Sequence, residues 1–164
     1  MKKALLLKAI EHNWGLTGPG DWNTVTWLIY HDASYDIISA FNPTIEDAEI
    51  EESFLPKLVE KKVTGAMESD DFSKLCEAIK TDPWRDPTLD VHACDGVAWE
   101  LEAYREDGSI EKTSGKLGYI YGDRVLETIV SMLPKDENLY DSSAFISINR
   151  ENDTTNILQK STGR

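Results

Sequence analysis

Cysteine is almost missing from this sequence: Cys76 and Cys94 are the two present. Two cysteines make no disulfide framework, so the fold has to rest on an apolar core. Long hydrophobic runs are missing as well. No stretch approaches the ~20 apolar residues of a membrane-spanning helix. The opening MKKALLLKAIEH carries an apolar run from Ala4 to Leu7, but Lys8 interrupts it, and Glu11 and His12 follow. A secretion signal needs roughly 7–15 apolar residues and a small-residue cleavage site. The expectation is a cytoplasmic protein with no membrane partner. Basic charge is scarce too: 17 Lys and Arg face 30 Asp and Glu, a net charge of -13. Binding to phosphate backbones is driven by Lys and Arg that release counterions. The balance therefore argues against nucleic acid and toward a basic protein as partner.

What is present points to one folded unit. A chain of 164 residues sits within the ~100–200 residues usual for a domain. It can bury roughly 68–70% of its unfolded surface without a metal or a disulfide. Hydrophobic residues make up 40% of the chain, with five Trp and six Tyr, which argues against wholesale disorder. Residues 150–164 hold few sizeable apolar groups, Ile157 and Leu158. The expected organisation is a single α+β domain over 1–149 and a mobile polar tail over 150–164.

Periodicity locates the elements. Residues 2–12, Thr24–Tyr30, Tyr35–Phe41 and 58–67 read as strands. The segment from Trp14 to Trp22 reads as a loop through Gly15, Gly18, Pro19 and Gly20. Ser69 is a good N-cap, followed by Asp70 and Asp71 and then by Phe72, Leu75, Cys76 and Ile79 on one helical stripe. From Val97 to Tyr104 the residues alternate as in a half-buried strand. Asp107-Gly108 signals a two-residue type I′ hairpin, and residues 109–114 return. Asp123 then caps a second helix with the stripe Leu126, Ile129, Val130 and Leu133, which Pro134 ends. A third, short helix after Thr44 and a last strand over 144–148 complete the expectation. It is an antiparallel sheet with two or three helices, arranged as two ββα-like halves.

Chemical motifs are sparse. Thr113-Ser114-Gly115-Lys116 resembles the end of a phosphate loop, but Gly108 and Gly115 are too far apart and Leu117 follows the lysine. Asp32, Ser34 and Asp36 imitate the start of a calcium loop, but Ile37 and Pro43 stand where Gly and Glu are required. His92 and Cys94 could reach one ion, with the other ligands too distant in sequence to be implied. No metal and no cofactor is expected. Glu100 and Glu102 share one side of a strand, as a solvated row does. Residues 46–52 hold five acids, Glu46, Asp47, Glu49, Glu51 and Glu52, and no base. Trp27 and Trp99 read as core. Trp14, Trp22 and Trp84 fall in loops, where an aromatic either covers the core or forms a binding platform.

Cys94-Asp95-Gly96-Val97-Ala98-Trp99, with Tyr104, Asp107-Gly108 and Gly118-Tyr119-Ile120-Tyr121-Gly122, resembles a pattern in small uncharacterised bacterial α+β proteins. The resemblance covers roughly residues 90–134. It implies a bacterial cytosolic α+β domain and carries no activity with it.

The expected function is non-enzymatic binding through an acidic surface, as in an inhibitor or immunity-type protein that meets a basic partner. Its residues would be Glu46, Asp47, Glu49, Glu51 and Glu52, together with Trp14, Trp22 and Trp84. Two alternatives stand beside it: a small hydrolase using His92 and Cys94, and a small-ligand binder using the loop aromatics.

Overall fold

The computed structural model describes residues 3–13, 15, 17–43, 58–81, 84, 96–115 and 124–141. Among these the chain runs β1 (Leu5–Asn13), β2 (Trp22–Tyr30), β3 (Ser34–Phe41), β4 (Val59–Ala66), α1 (Ser69–Thr81), β5 (Val97–Tyr104), β6 (Ile110–Gly115) and α2 (Arg124–Met132). The six strands form one sheet in the order β4-β3-β2-β1-β5-β6, and every neighbouring pair is antiparallel. The architecture is the α+β sheet-and-helix arrangement expected. β1 lies inside the sheet, with the meander β2–β3–β4 on one side and the hairpin β5–β6 on the other. The expected short helix after Thr44, the cap at Asp123, the strand over 144–148 and the tail over 150–164 lie outside the described residues. No helix among the described residues is long and apolar enough to cross a membrane.

Strand alternation gives the sheet two different faces. Leu7, Ala9, Val25, Trp27, Ile29, Ile37, Trp99, Leu101 and Ala103 point to one side, where they pack with Leu75, Ile79, Leu126 and Ile129 of the helices. Each large side chain buried there contributes about 1.5–3 kcal/mol. The opposite face carries Lys8, Ile10 and His12 of β1 beside Thr24, Thr26 and Leu28 of β2. Two register shifts interrupt the ladder, one between Leu5 and Leu7 and one between Trp22 and Thr24. The second turns Trp22 to the helix side opposite Phe41, as a bulge does when it re-aims a side chain.

The hairpin turns depart from expectation. A type I′ turn needs positive φ at both central residues, yet at the β5–β6 turn Gly108 alone has it, at 83°. Gly108 N–H donates to Arg105 C=O at 3.0 Å, and Arg105 N–H donates to Ser109 C=O at 2.9 Å. This is the three-residue loop with a left-handed closing residue. Asp107 decides it, because its Oδ1 accepts the Ser109 N–H at 2.8 Å and forms a local turn of its own. The β2–β3 turn repeats the arrangement. Asp32 Oδ1 accepts Ser34 N–H at 3.0 Å, and Ala33, with φ 64°, takes the position that glycine fills in the other turn.

Both helices start or pack slightly differently from their sequence patterns. The first α1 bond runs from Phe72 N–H to Glu68 C=O at 2.9 Å, so Glu68 is the cap and Ser69 is the first helical residue. Its buried stripe is Leu75, Ala78 and Ile79, with Phe72 and Cys76 partly buried against it. In α2 and just beyond it, Val125, Leu126, Ile129 and Leu133 are buried, while Val130 is only partly covered.

Candidate functional site

Leu133 and the residues after it close one end of the helix-covered face. Pro134 cannot continue the helix, and its carbonyl accepts the Trp27 indole N–H at 2.9 Å. Asp136 Oδ1 accepts Asn138 N–H at 2.8 Å, which folds the segment back. Leu139 is then buried in the core, and the Lys61 ammonium donates to the Asn138 carbonyl at 3.4 Å. The Tyr140 hydroxyl donates to Glu11 Oε2 at 2.5 Å. Tyr140 is anchored at its tip although the residue is 48% exposed.

Between this segment, α2 and the sheet lies a half-open pocket of about 620 Å³. Trp27 and Trp99 line it, with Val130, Leu133, Leu139 and Tyr140; Glu127, Ser131, Lys135 and Asp136 supply its polar groups. The two indoles stack, with ring centroids 5.3 Å apart and planes 28° apart. They come from different strands: Trp27 sits opposite Ala9 and Trp99 opposite Glu11, on either side of β1. Trp22 backs the Tyr140 ring edge-on, centroids 4.9 Å apart. A second, more polar pocket of about 520 Å³ lies across the ridge 131–135 and includes the Lys74–Asp71 ion pair.

Glu11 is the unusual group here. It faces the core side of β1, between Val25 and Trp99, and is 8% exposed. Burial pushes its carboxyl above the usual glutamate range, with the Tyr140 hydrogen bond working in the other direction. Burial, and then the Glu11 carboxylate, raise the Tyr140 phenol in turn. Burial favours the protonated carboxyl and a donated hydrogen bond favours the carboxylate; at Glu11 burial is the larger effect.

The residues singled out from sequence fare unevenly. Glu46, Asp47, Glu49, Glu51, Glu52, Trp14, His92 and Cys94 lie outside the described residues. Trp22 is not in a loop; it opens β2 and meets the pocket wall through Tyr140. Trp84 is partly buried against the core. Its indole N–H donates to Ile79 C=O at 3.1 Å and Arg105 lies 5.8 Å from its ring centre, so it covers the end of α1. Cys76 packs in α1, and burial pushes its thiol up despite nearby Lys80, which suits a core residue better than a nucleophile. Glu100 and Glu102 do share the open face: Glu100 faces His12 at 3.2 Å, and Glu102 faces Lys112 at 2.6 Å.

Sequence reasoning missed Glu11, Tyr140 and the pocket-lining role of Trp27 and Trp99. One signal was available for Glu11. It continues the series Leu7, Ala9 at two-residue spacing, which puts an acid on an apolar face. Tyr140 lies beyond the helix in a segment without periodicity, so nothing marked it. No protein-family model matches the chain, and no curated protein matches it.

Proposed function

We propose that this chain is a non-enzymatic binding protein whose ligand seats in the pocket over Trp27 and Trp99. The observation that carries the reading is the pocket itself. Its volume of about 620 Å³ falls inside the ~300–1,000 Å³ range of small-molecule sites, and apolar and aromatic walls with a few polar groups are the usual lining. The hairpins β2–β3 and β5–β6 each contribute one of the stacked indoles, although the first is followed by β4 before α1, so the two halves differ by a strand. Titration with 2-phenylethanol, followed by NMR, is the test. Amide and indole shifts concentrated at Trp27, Trp99 and residues 130–140 are expected. Ser131→Trp, a change at an exposed position on the pocket rim, should abolish them. Shifts scattered over the surface, or none, would refute the site.

The charge supports a second reading, a basic protein partner. Residues 46–71 hold nine acids and three bases, -6 of the total -13. Such a cluster speeds association with a basic surface, and salt weakens the effect over a screening length of ~8 Å at physiological ionic strength. Neutralising Glu46, Asp47, Glu49, Glu51 and Glu52 together should slow capture of a basic partner in a pull-down and leave the fold intact. Recovery of no basic protein at low salt sinks this reading and leaves the pocket untouched.

A further inference from the structure

The geometry points to a ligand with an apolar body and a protonated amine, the body against Trp27 and Trp99 and the ammonium on Glu11. The inference rests on the pocket being a ligand site and adds the chemistry of what enters it. Glu11 stands beside Trp99 in the register of the sheet, next to the stacked indoles of the pocket wall. Its side-chain partner is the Tyr140 hydroxyl, a neutral donor, and no Lys, Arg or His pairs with it among the described residues. A carboxylate withdrawn from water gains most from a cation that is also a hydrogen-bond donor. An ammonium group supplies both, and indole faces attract cations as well.

Glu11 meets the pocket through Tyr140, which lines it, and the lining agrees in sign. Glu127 and Asp136 line it against the single base Lys135, so an anionic ligand meets more repulsion than attraction. Tyr140 is the group that has to yield. Its ring is half in solvent and leans on Trp22 by one edge, so swinging the hydroxyl off Glu11 uncovers little core. The ammonium then replaces the phenol as the partner of Glu11. An ammonium binds the carboxylate and not the acid, so binding expels a proton wherever Glu11 is protonated, and amine affinity falls as pH falls. Among the described residues, the titratable groups nearest Glu11 on this side are Tyr140, Glu127, Lys135 and Asp136 around the pocket and Lys61 in the same cross-strand row on β4; Tyr35 on β3, Cys76 on α1 and Glu111 on β6 share the side at other positions. His12 belongs to the other face.

Two probes with one skeleton test this: 2-phenylethylamine, charged, and 2-phenylethanol, neutral, compared by calorimetry. At about pH 8 the amine should bind at least about tenfold more tightly, the effect of one charge-assisted contact. Glu11→Gln, which keeps an acceptor for Tyr140, should bring the two probes within about twofold, and a circular dichroism spectrum and melting curve check its fold. Should that variant not fold, the wild-type ratio decides, because it should shrink as pH drops from about 8 to about 5. Equal affinities in the wild type, a ratio untouched by Glu11→Gln, or a ratio constant with pH would each overturn the amine assignment. If neither probe binds, the pocket reading fails, and the assignment fails with it.

Discussion

Trp27 is 3% exposed, while Leu28, its neighbour in the chain, is only half-buried on the opposite side of the sheet. The same strands build both faces, and the two are held by different forces. On the open face one row reads Thr64, Asp36, Leu28, Lys8, Glu102, Lys112 from β4 to β6. Its acids alternate with bases. Lys62 reaches Asp36 at 2.9 Å, and Lys112 and Lys8 reach Glu102 at 2.6 and 3.7 Å. Tyr30 and Tyr104 hydroxyls donate to the same two acids. On the covered face the side chains are apolar apart from a few groups, and the carboxyl of Glu11 has a phenol where the others have ammonium groups. One residue type therefore titrates in opposite directions. The Lys112 hydrogen bond holds Glu102 below the usual range against a smaller cost of burial. Burial works against the charge on Asp36 too, but hydrogen bonds from Lys62 and Tyr30 prevail. At Glu11 burial wins. An acid among cations is a structural group, and an acid among indoles is a candidate for recognition.

The largest effect that would break this contrast is in the core. Leu126→Ala, at 0% exposure, should cost about 2–5 kcal/mol because it leaves a cavity under the helices. Leu28→Ala on the open face leaves none and should cost about 1 kcal/mol. Urea denaturation of both variants measures the difference. Equal losses would mean the open face is as well covered as the other.

Overpacking on the covered face comes next. Gly65 sits opposite Tyr35 in the β3–β4 ladder, and a Cβ there would lie 2.5 Å from Tyr35 Cζ. The absence of a side chain is what lets the ring cross this edge strand. Gly65→Ala should destabilise by about 1–3 kcal/mol, and Tyr35→Ala in the same chain should recover part of that loss. No recovery would mean that the ring is not the obstacle.

The smallest effects lie in pH dependence, and their signs are opposite. Glu11 is raised from 4.5, so its contribution is fully present below that value and is lost as pH rises through its folded pKa. The wild type should therefore weaken relative to Glu11→Gln between about pH 4 and neutrality. Glu102 is lowered from 4.5, so its contribution is present above that value and is lost as pH falls through its folded pKa. Relative to Glu102→Gln, the wild type should weaken on acidification, by no more than about 1 kcal/mol, since its partner Lys112 is mostly exposed. Melting temperatures over the pH series check both slopes, and slopes of the same sign would remove the distinction between the faces.

The sequence by itself determined the strands and helices that are described. Alternation at Thr24–Tyr30 and Val97–Tyr104 and the stripes through Leu75, Ile79, Leu126 and Ile129 needed nothing beyond local period, because burial of one face imposes that period. It also determined that the chain is acidic and that Trp27 and Trp99 belong inside. Three other matters lay outside that period, the first settled by a local side-chain contact and the last by tertiary pairing. The loop at Asp107-Gly108 took three residues because the Asp107 carboxylate caught the Ser109 amide, a choice between two turns that both want glycine. Trp22 joined the covered face through a one-residue bulge, which no alternation pattern encodes. The pocket exists because β1 brings β2 and β5 together from distant parts of the chain. That pairing stacks Trp27 on Trp99 and sets Glu11 under Tyr140, 129 residues away. Local sequence reports which side chains avoid water, and long-range strand pairing decides which of them meet.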